Sequence, residues 1–174
     1  MSAGGLMASI GIFYGSSTGN TEDAAKRIAQ AFGGGEAEAK EISSTTEDEI
    51  LGYDKIIFGV STWGAGDLQD DFEDFMATLE DMDFSGKKVA VFGLGDQEGY
   101  PDTFVDGMGI VAKAVGGAGA TLVGKTSTEG YEYDTSEAEE GNSFLGLALD
   151  EDNQSDQTQD RIARWVEQLK QEFA

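Results

Sequence analysis

The chain of 174 residues has no cysteine, no histidine and one proline. Without cysteine there is no disulfide, no thiolate nucleophile and no cysteine-held cluster. Without histidine the commonest acid–base group at neutral pH is missing, and a hydrolase triad of the usual kind is excluded. Any redox chemistry must therefore belong to a bound organic cofactor. Positive charge is scarce: 11 Lys and Arg face 34 Asp and Glu, a net charge of −23. Nucleic acid and anionic membranes are poor partners for such a chain, and a basic protein is a good one. Solubility or adaptation to high salt would also account for the acidity. Residues 65–84 hold eight acids and residues 126–160 hold eleven, with no basic residue in either block, and this clustering favours an acidic face. No apolar run approaches the roughly 18 residues of a membrane span. Residues 1–7 lack the basic start and long apolar region of a secretory signal. They read as a flexible extension, with the cytoplasm as the default compartment.

Apolar residues make up 39% of the chain, enough for one domain with a proper core. The organising stretch runs from Ile10 to Thr21. A short apolar run leads into Gly15, Ser16, Ser17, Thr18, Gly19, Asn20 and Thr21, and a helical pattern follows with Ala24, Ala25, Ile28, Ala29 and Phe32. Strand, glycine–hydroxyl loop and helix in that order place backbone N–H groups and a helix N-terminus where an anion fits. The lysine of a nucleoside-triphosphate loop is absent, and so is the G-x-G-x-x-G spacing of a dinucleotide loop. What remains suits a single monoester phosphate, or an ordinary glycine-rich turn.

Strands are expected at 9–14, 36–42, 55–63 and 88–94, and a fifth in two pieces at 121–124 and 144–149. Helices are expected at 21–32, 45–51, 67–79, 104–115 and 158–173. Thr46 and Glu49 have the spacing of a capping box. Strands alternating with helices give a parallel sheet covered on both faces. Ligands of such sheets bind beyond the carboxyl ends of the strands, where the winding reverses. Loops 15–21, 61–67 and 95–101 all follow strands and would converge there. Trp63 and Tyr100 could clamp a flat heterocycle between them, or pack on the rim. Asp96 could accept from a heterocycle N–H, or cap the helix near Pro101. The acidic interruption of about twenty residues before 144 is of the length that is usually functional or mobile. Tyr131 and Tyr133 within it argue for packing.

Four ordered motifs carry a resemblance. They are Phe-Tyr-Gly-Ser-Ser-Thr-Gly-Asn-Thr at 13–21, Thr-Trp-Gly-Ala-Gly-Asp-Leu-Gln at 62–69, Gly-Leu-Gly-Asp-Gln-Glu-Gly-Tyr at 93–100 and Leu-Ala-Leu-Asp-Glu-Asp-Asn-Gln at 147–154. Over residues 8–174 the chain resembles the long-chain flavodoxins. The resemblance implies an α/β domain spanning 8–174, with a five-stranded parallel sheet of order 2-1-3-4-5 and helices on both faces. It also implies a long-chain insertion in the last strand. It implies a monomeric, cytoplasmic, low-potential single-electron carrier that holds FMN non-covalently and turns over no substrate of its own. Its partners would be basic redox proteins such as a ferredoxin/flavodoxin–NADP reductase.

Carried over by motif, Ser16, Ser17, Thr18, Gly19, Asn20 and Thr21 resemble the phosphate loop. Ser61, Thr62, Trp63, Gly64, Ala65 and Gly66 resemble the first ring-binding loop, with Trp63 on one flavin face. Tyr100 resembles the stack on the other face, Gly95 and Asp96 the contacts at the pyrimidine edge, and Asp152 a ribityl contact. Three positions depart from common family usage: Gly64 and Ala65 are small, and Asn20 stands where a basic residue is common. Gly64 would let its peptide rotate toward the flavin N5 edge, favouring a neutral one-electron state. An FMN-dependent NAD(P)H or quinone reductase is the alternative. A signalling receiver domain shares the architecture, but it needs carboxylates where Gly15 and Ser16 stand.

Overall fold

A computed structural model describes residues 9–15, 19–63 and 67–174. The expected extension at 1–7 lies outside them. Strand β1 (Ile10–Tyr14) is buried at all five positions, which is why it reads as an unbroken apolar run rather than an alternation. Helix α1 (Asn20–Phe32) follows and ends at Gly33, whose φ of 72° is open to glycine and costly for other residues. Strand β2 (Ala37–Glu41) is half-exposed and, among the described residues, pairs with β1 alone, at the sheet edge. Thr46 and Glu49 form the anticipated capping box at the start of α2 (Glu47–Leu51), with both reciprocal bonds present.

Strand β3 (Lys55–Trp63) lies parallel to β1 on its other side and parallel to β5 (Lys88–Leu94) beyond. The fifth position is filled by two short pieces, β6 (Thr121–Leu122) and β10 (Leu147–Leu149). Thr121 pairs with Lys88 at one end of β5, and Leu147 with Phe92 near the other. The sheet order is therefore 2-1-3-4-5, with the last strand split. Between its halves, β7 (Thr126–Ser127), β8 (Glu139–Glu140) and β9 (Ser143–Phe144) form a small antiparallel sheet. Phe144 belongs to that sheet rather than to the fifth strand. The chain then runs close against β5 at Gly146, where a Cβ would lie 1.9 Å from the Val91 carbonyl oxygen. Tyr131 and Tyr133 pack on Phe104 and Phe144 with ring centroids 5.1–5.8 Å apart, so the insertion is docked, as its tyrosines suggested.

The expected helix at 67–79 starts later. Asp67 and Leu68 turn back as β4 (Asp67–Leu68), antiparallel to the end of β3. Helix α3 (Asp70–Asp81) begins only after Gln69, whose side chain caps it by accepting from Asp71 N and Phe72 N. Helix α4 (Asp106–Gly117) also starts two residues late, because 100–105 form successive turns that end at Val105 with φ 47°. Helix α5 (Thr158–Glu172) lies where its apolar stripe placed it. Two cores flank the sheet. Phe13, Phe58 and Val91 face α3 and α4, while Ile12, Ile57 and Phe92 face α1 and α5.

Candidate functional site

At the carboxyl end of the sheet, the described parts of the loops are tied to neighbouring segments. After β1, Gly15 N–H donates to the Gly59 carbonyl (3.1 Å). A Cβ on Gly15 would lie 2.1 Å from Gln69 Oε1, so glycine permits the close approach of the first loop to the α3 cap. Gly19 adopts φ 93° before α1, and its carbonyl accepts from Asp23 N (2.9 Å). Thr21, 1% exposed, shares a short hydroxyl–hydroxyl hydrogen bond with Ser61 at the end of β3. Thr62 Oγ1 accepts from Gly107 N (2.8 Å) in the first turn of α4. The first and second loops are thus hydrogen-bonded to each other, and the second to the helix that follows the third.

The third loop presents Tyr100, 48% exposed, the exposed large hydrophobic side chain among the described residues. Four residues before it, Asp96 folds the loop on itself by accepting from Glu98 N (3.2 Å) and Gly99 N (2.7 Å). Asn153 Nδ2 donates to Asp96 Oδ1 (2.8 Å) and to Asp150 Oδ2 (2.9 Å). Asp150 is fully buried and also accepts from Gln97 N, Gln97 Nε2, Asp152 N and Asn153 N. Gln97 is 3% exposed, and its Oε1 accepts from Glu132 N of the insertion (2.6 Å). The insertion grips the same loop again where Asp134 N and Thr135 N donate to the Pro101 carbonyl (2.8 and 3.0 Å).

These amides set the electrostatics. The Gly99 N–H and then the Asn153 amide hold the Asp96 carboxyl below its ordinary value, so Asp96 is anionic. Asp152 is pushed the other way, first by partial burial and then by the neighbouring charges of Asp96, Asp150 and Glu151. No Lys or Arg stands at 19–21, 61–62, 95–101 or 150–154.

Of the residues singled out in the sequence, Gly19, Asn20, Thr21, Ser61, Thr62, Gly95, Asp96, Tyr100 and Asp152 all stand at this end of the sheet. Ser16, Ser17, Thr18, Gly64, Ala65 and Gly66 lie outside the described residues, as does the side chain of Trp63. Sequence reasoning passed over Gln97, Asp150 and Asn153, which hold the third loop to residues 150–154 after β10. One signal was available: Asp150 directly follows the buried Leu147–Leu149, and a carboxylate closing a buried strand demands hydrogen-bond donors around it.

A parallel α/β sheet of order 2-1-3-4-5, with its loops gathered at the β1/β3 switch point, defines the flavodoxin-like class of folds. A family profile described as Flavodoxin matches residues 12–165. A flavodoxin of Trichodesmium erythraeum is 47% identical over 169 residues, covering 96% of this chain and 99% of that protein. One of Helicobacter pylori is 45% identical, covering 97% of this chain and 100% of that protein. The structure of a Fusobacterium nucleatum flavodoxin bound to flavin mononucleotide aligns with a TM-score of 0.90 at 32% identity, over 97% of this chain and 100% of that one. The chain belongs to the flavodoxin family.

Proposed function

We propose that residues 8–174 form one FMN-binding domain that carries single electrons at low potential between redox proteins. The observation that carries this reading is Tyr100. A half-exposed ring on a loop whose every turn is braced from behind offers a rigid apolar face at the switch point, and a flat ligand would cover it. The rest of the donor set fits FMN. The N-terminus of α1, with Gly19, Asn20 and Thr21 and the preceding Ser16, Ser17 and Thr18, supplies N–H and hydroxyl groups for a phosphate. Ser61, Thr62, Trp63, Gly64, Ala65 and Gly66 would border one side of the ring, and Gly95, Asp96 and Tyr100 the other. Asp152 would reach the ribityl chain.

FMN, when bound, supplies reversible one-electron chemistry. The protein's part is to bind, orient and bias it. Asp96, Asp150 and Asp152, with no cation in the surrounding loops, create a field that opposes added negative charge beside Tyr100, and such a field lowers a reduction potential. The acidic rim suits basic redox partners of the ferredoxin/flavodoxin–NADP reductase kind. The protein would act as a cytoplasmic monomer without substrate turnover; no helix among the described residues is long and apolar enough to cross a membrane. The test is a spectroelectrochemical titration of the purified yellow protein. Two separated one-electron steps with a low second potential are expected. A single two-electron step, or steady NAD(P)H oxidation by the protein alone, would instead favour a reductase.

A further inference from the structure

We infer that the groove between α5 and the base of the insertion is a second binding site, one for a small organic carboxylate. The groove encloses about 300 Å³. Buried Leu147 and Trp165 and half-buried Tyr131 give it an apolar floor, while Lys125, Arg161 and Arg164 give it a cationic rim. A single carboxylate, Glu129, also lines it. Three of its four charged residues are therefore cations, in a chain where acids outnumber bases 34 to 11.

The arginines are what make it a site. Seven of the eleven cations sit in ion pairs, but among the described residues neither Arg161 nor Arg164 does. They are three apart on α5 and so share a face. The Arg161 guanidinium lies 4.0 Å over the Tyr131 ring, and its Nη2 donates weakly to the Gly130 carbonyl (3.4 Å). Stacking fixes its plane but leaves Nη1 shielded from water with no acceptor. Arg161 lines the groove, and its guanidinium is a donor that the fold leaves partly unused. Lys125 is held by an exposed pair with Glu140 (2.9 Å), of the kind that exchanges readily. Arginine forks match carboxylate geometry. The apolar floor favours an anion with a hydrocarbon body over a bare inorganic ion. The volume lies at the small end of ligand pockets, roughly 300–1,000 Å³.

The experiment uses the FMN-loaded protein, so that the phosphate loop does not compete. Benzoate, acetate and benzyl alcohol are titrated at constant ionic strength while the Trp165 indole N–H, bonded to the Gly124 carbonyl (2.8 Å), and the Arg164 side chain are followed by NMR. Benzoate should give a saturable shift, acetate a much weaker one and benzyl alcohol none. Arg164→Gln, at an exposed position, should leave the unliganded Trp165 signal in place and weaken benzoate by about tenfold. Lys125→Gln should weaken it in the same direction. The site is refuted if benzoate produces no saturable shift, if both variants bind it like the parent, or if benzyl alcohol or acetate binds as tightly.

Discussion

Gln97 shows how one buried amide can serve three segments. Its Nε2 must donate to Asp150 and its Oε1 must accept from Glu132 N, and only an amide does both at that position. Gln97→Leu should cost roughly 1–2 kcal/mol, because it takes one donor from buried Asp150 and removes the acceptor of the part-buried Glu132 N–H. Gln97→Glu makes a sharper case. A glutamate keeps the acceptor for Glu132 N but turns a second carboxylate toward Asp150. Protonation of that glutamate would restore a donor. We therefore expect Gln97→Glu to lose stability and FMN affinity at neutral pH and to recover part of both as the pH falls, whereas Gln97→Leu should show no recovery. Paired chemical denaturation and flavin-fluorescence titrations across pH test this.

Asp152 gives a second titration of opposite design. Its folded carboxyl lies above the ordinary 3.8, so the folded state prefers the proton, and ionisation costs stability. That cost accrues as pH rises from the unfolded value through the folded one, and is constant above. Asp152→Asn should make the apoprotein more stable than the parent at neutral pH, with the gap closing as pH falls toward 3.8. A gap that is equal at all pH values would mean that neither burial nor the neighbouring carboxylates shift this group.

Among the elements, α4 has the least ordinary composition for a helix, and its glycines have separate reasons. A Cβ on Gly109 would lie 2.4 Å from the Glu137 carbonyl, because the insertion backbone crosses the helix there. Gly116, in the same helix, meets nothing within 4 Å. Gly109→Ala should destabilise by roughly 1–3 kcal/mol and expose the Glu137 and Ala138 amides to hydrogen exchange. Gly116→Ala should stabilise by up to about 1 kcal/mol. Thermal melts with exchange mass spectrometry separate the two. The sequence marks α4 as helical by pattern, but cannot say that two of its glycines are contact surfaces, since Gly107 meets Thr62 and Gly109 meets Glu137, 45 and 28 positions away in the chain. The same divide holds elsewhere. β1, β3, β5 and the Thr46 cap follow from local pattern. The start of α3 depends on the β3–β4 turn, and the Gln97–Asp150 bond joins residues 53 apart. The place of Tyr100 and Asp96 beyond the end of β5 follows from strand pattern alone; that of Asn153 does not, because its bonds exist only once two loops meet.

On the scale of the whole molecule, charge is arranged along the strands. Lys55 and Lys88 open β3 and β5 side by side at the amino end, and Lys87 reaches back to the carbonyls of Leu51 and Tyr53. Glu98, Asp102, Glu132, Glu151 and Asp152 crowd the other end around Tyr100. Two salt responses of opposite sign follow. Self-repulsion in a chain of net charge −23 is screened by salt, so the apoprotein should melt higher as salt is added. Attraction to a basic redox partner is also screened, so electron transfer should slow as ionic strength rises through about 0.1 M, where the screening length is about 10 Å. The arrangement, more than the total, should set the second response. Neutralising Glu98 and Glu132 near Tyr100 should lower the association rate and flatten its salt dependence. Neutralising Glu36 and Asp54 at the amino ends of β2 and β3 removes the same charge and should change both far less. Stopped-flow rates against ionic strength for the two double variants decide the matter. Equal effects from both pairs would mean that the partner senses only net charge, and that the acidic end does not steer it.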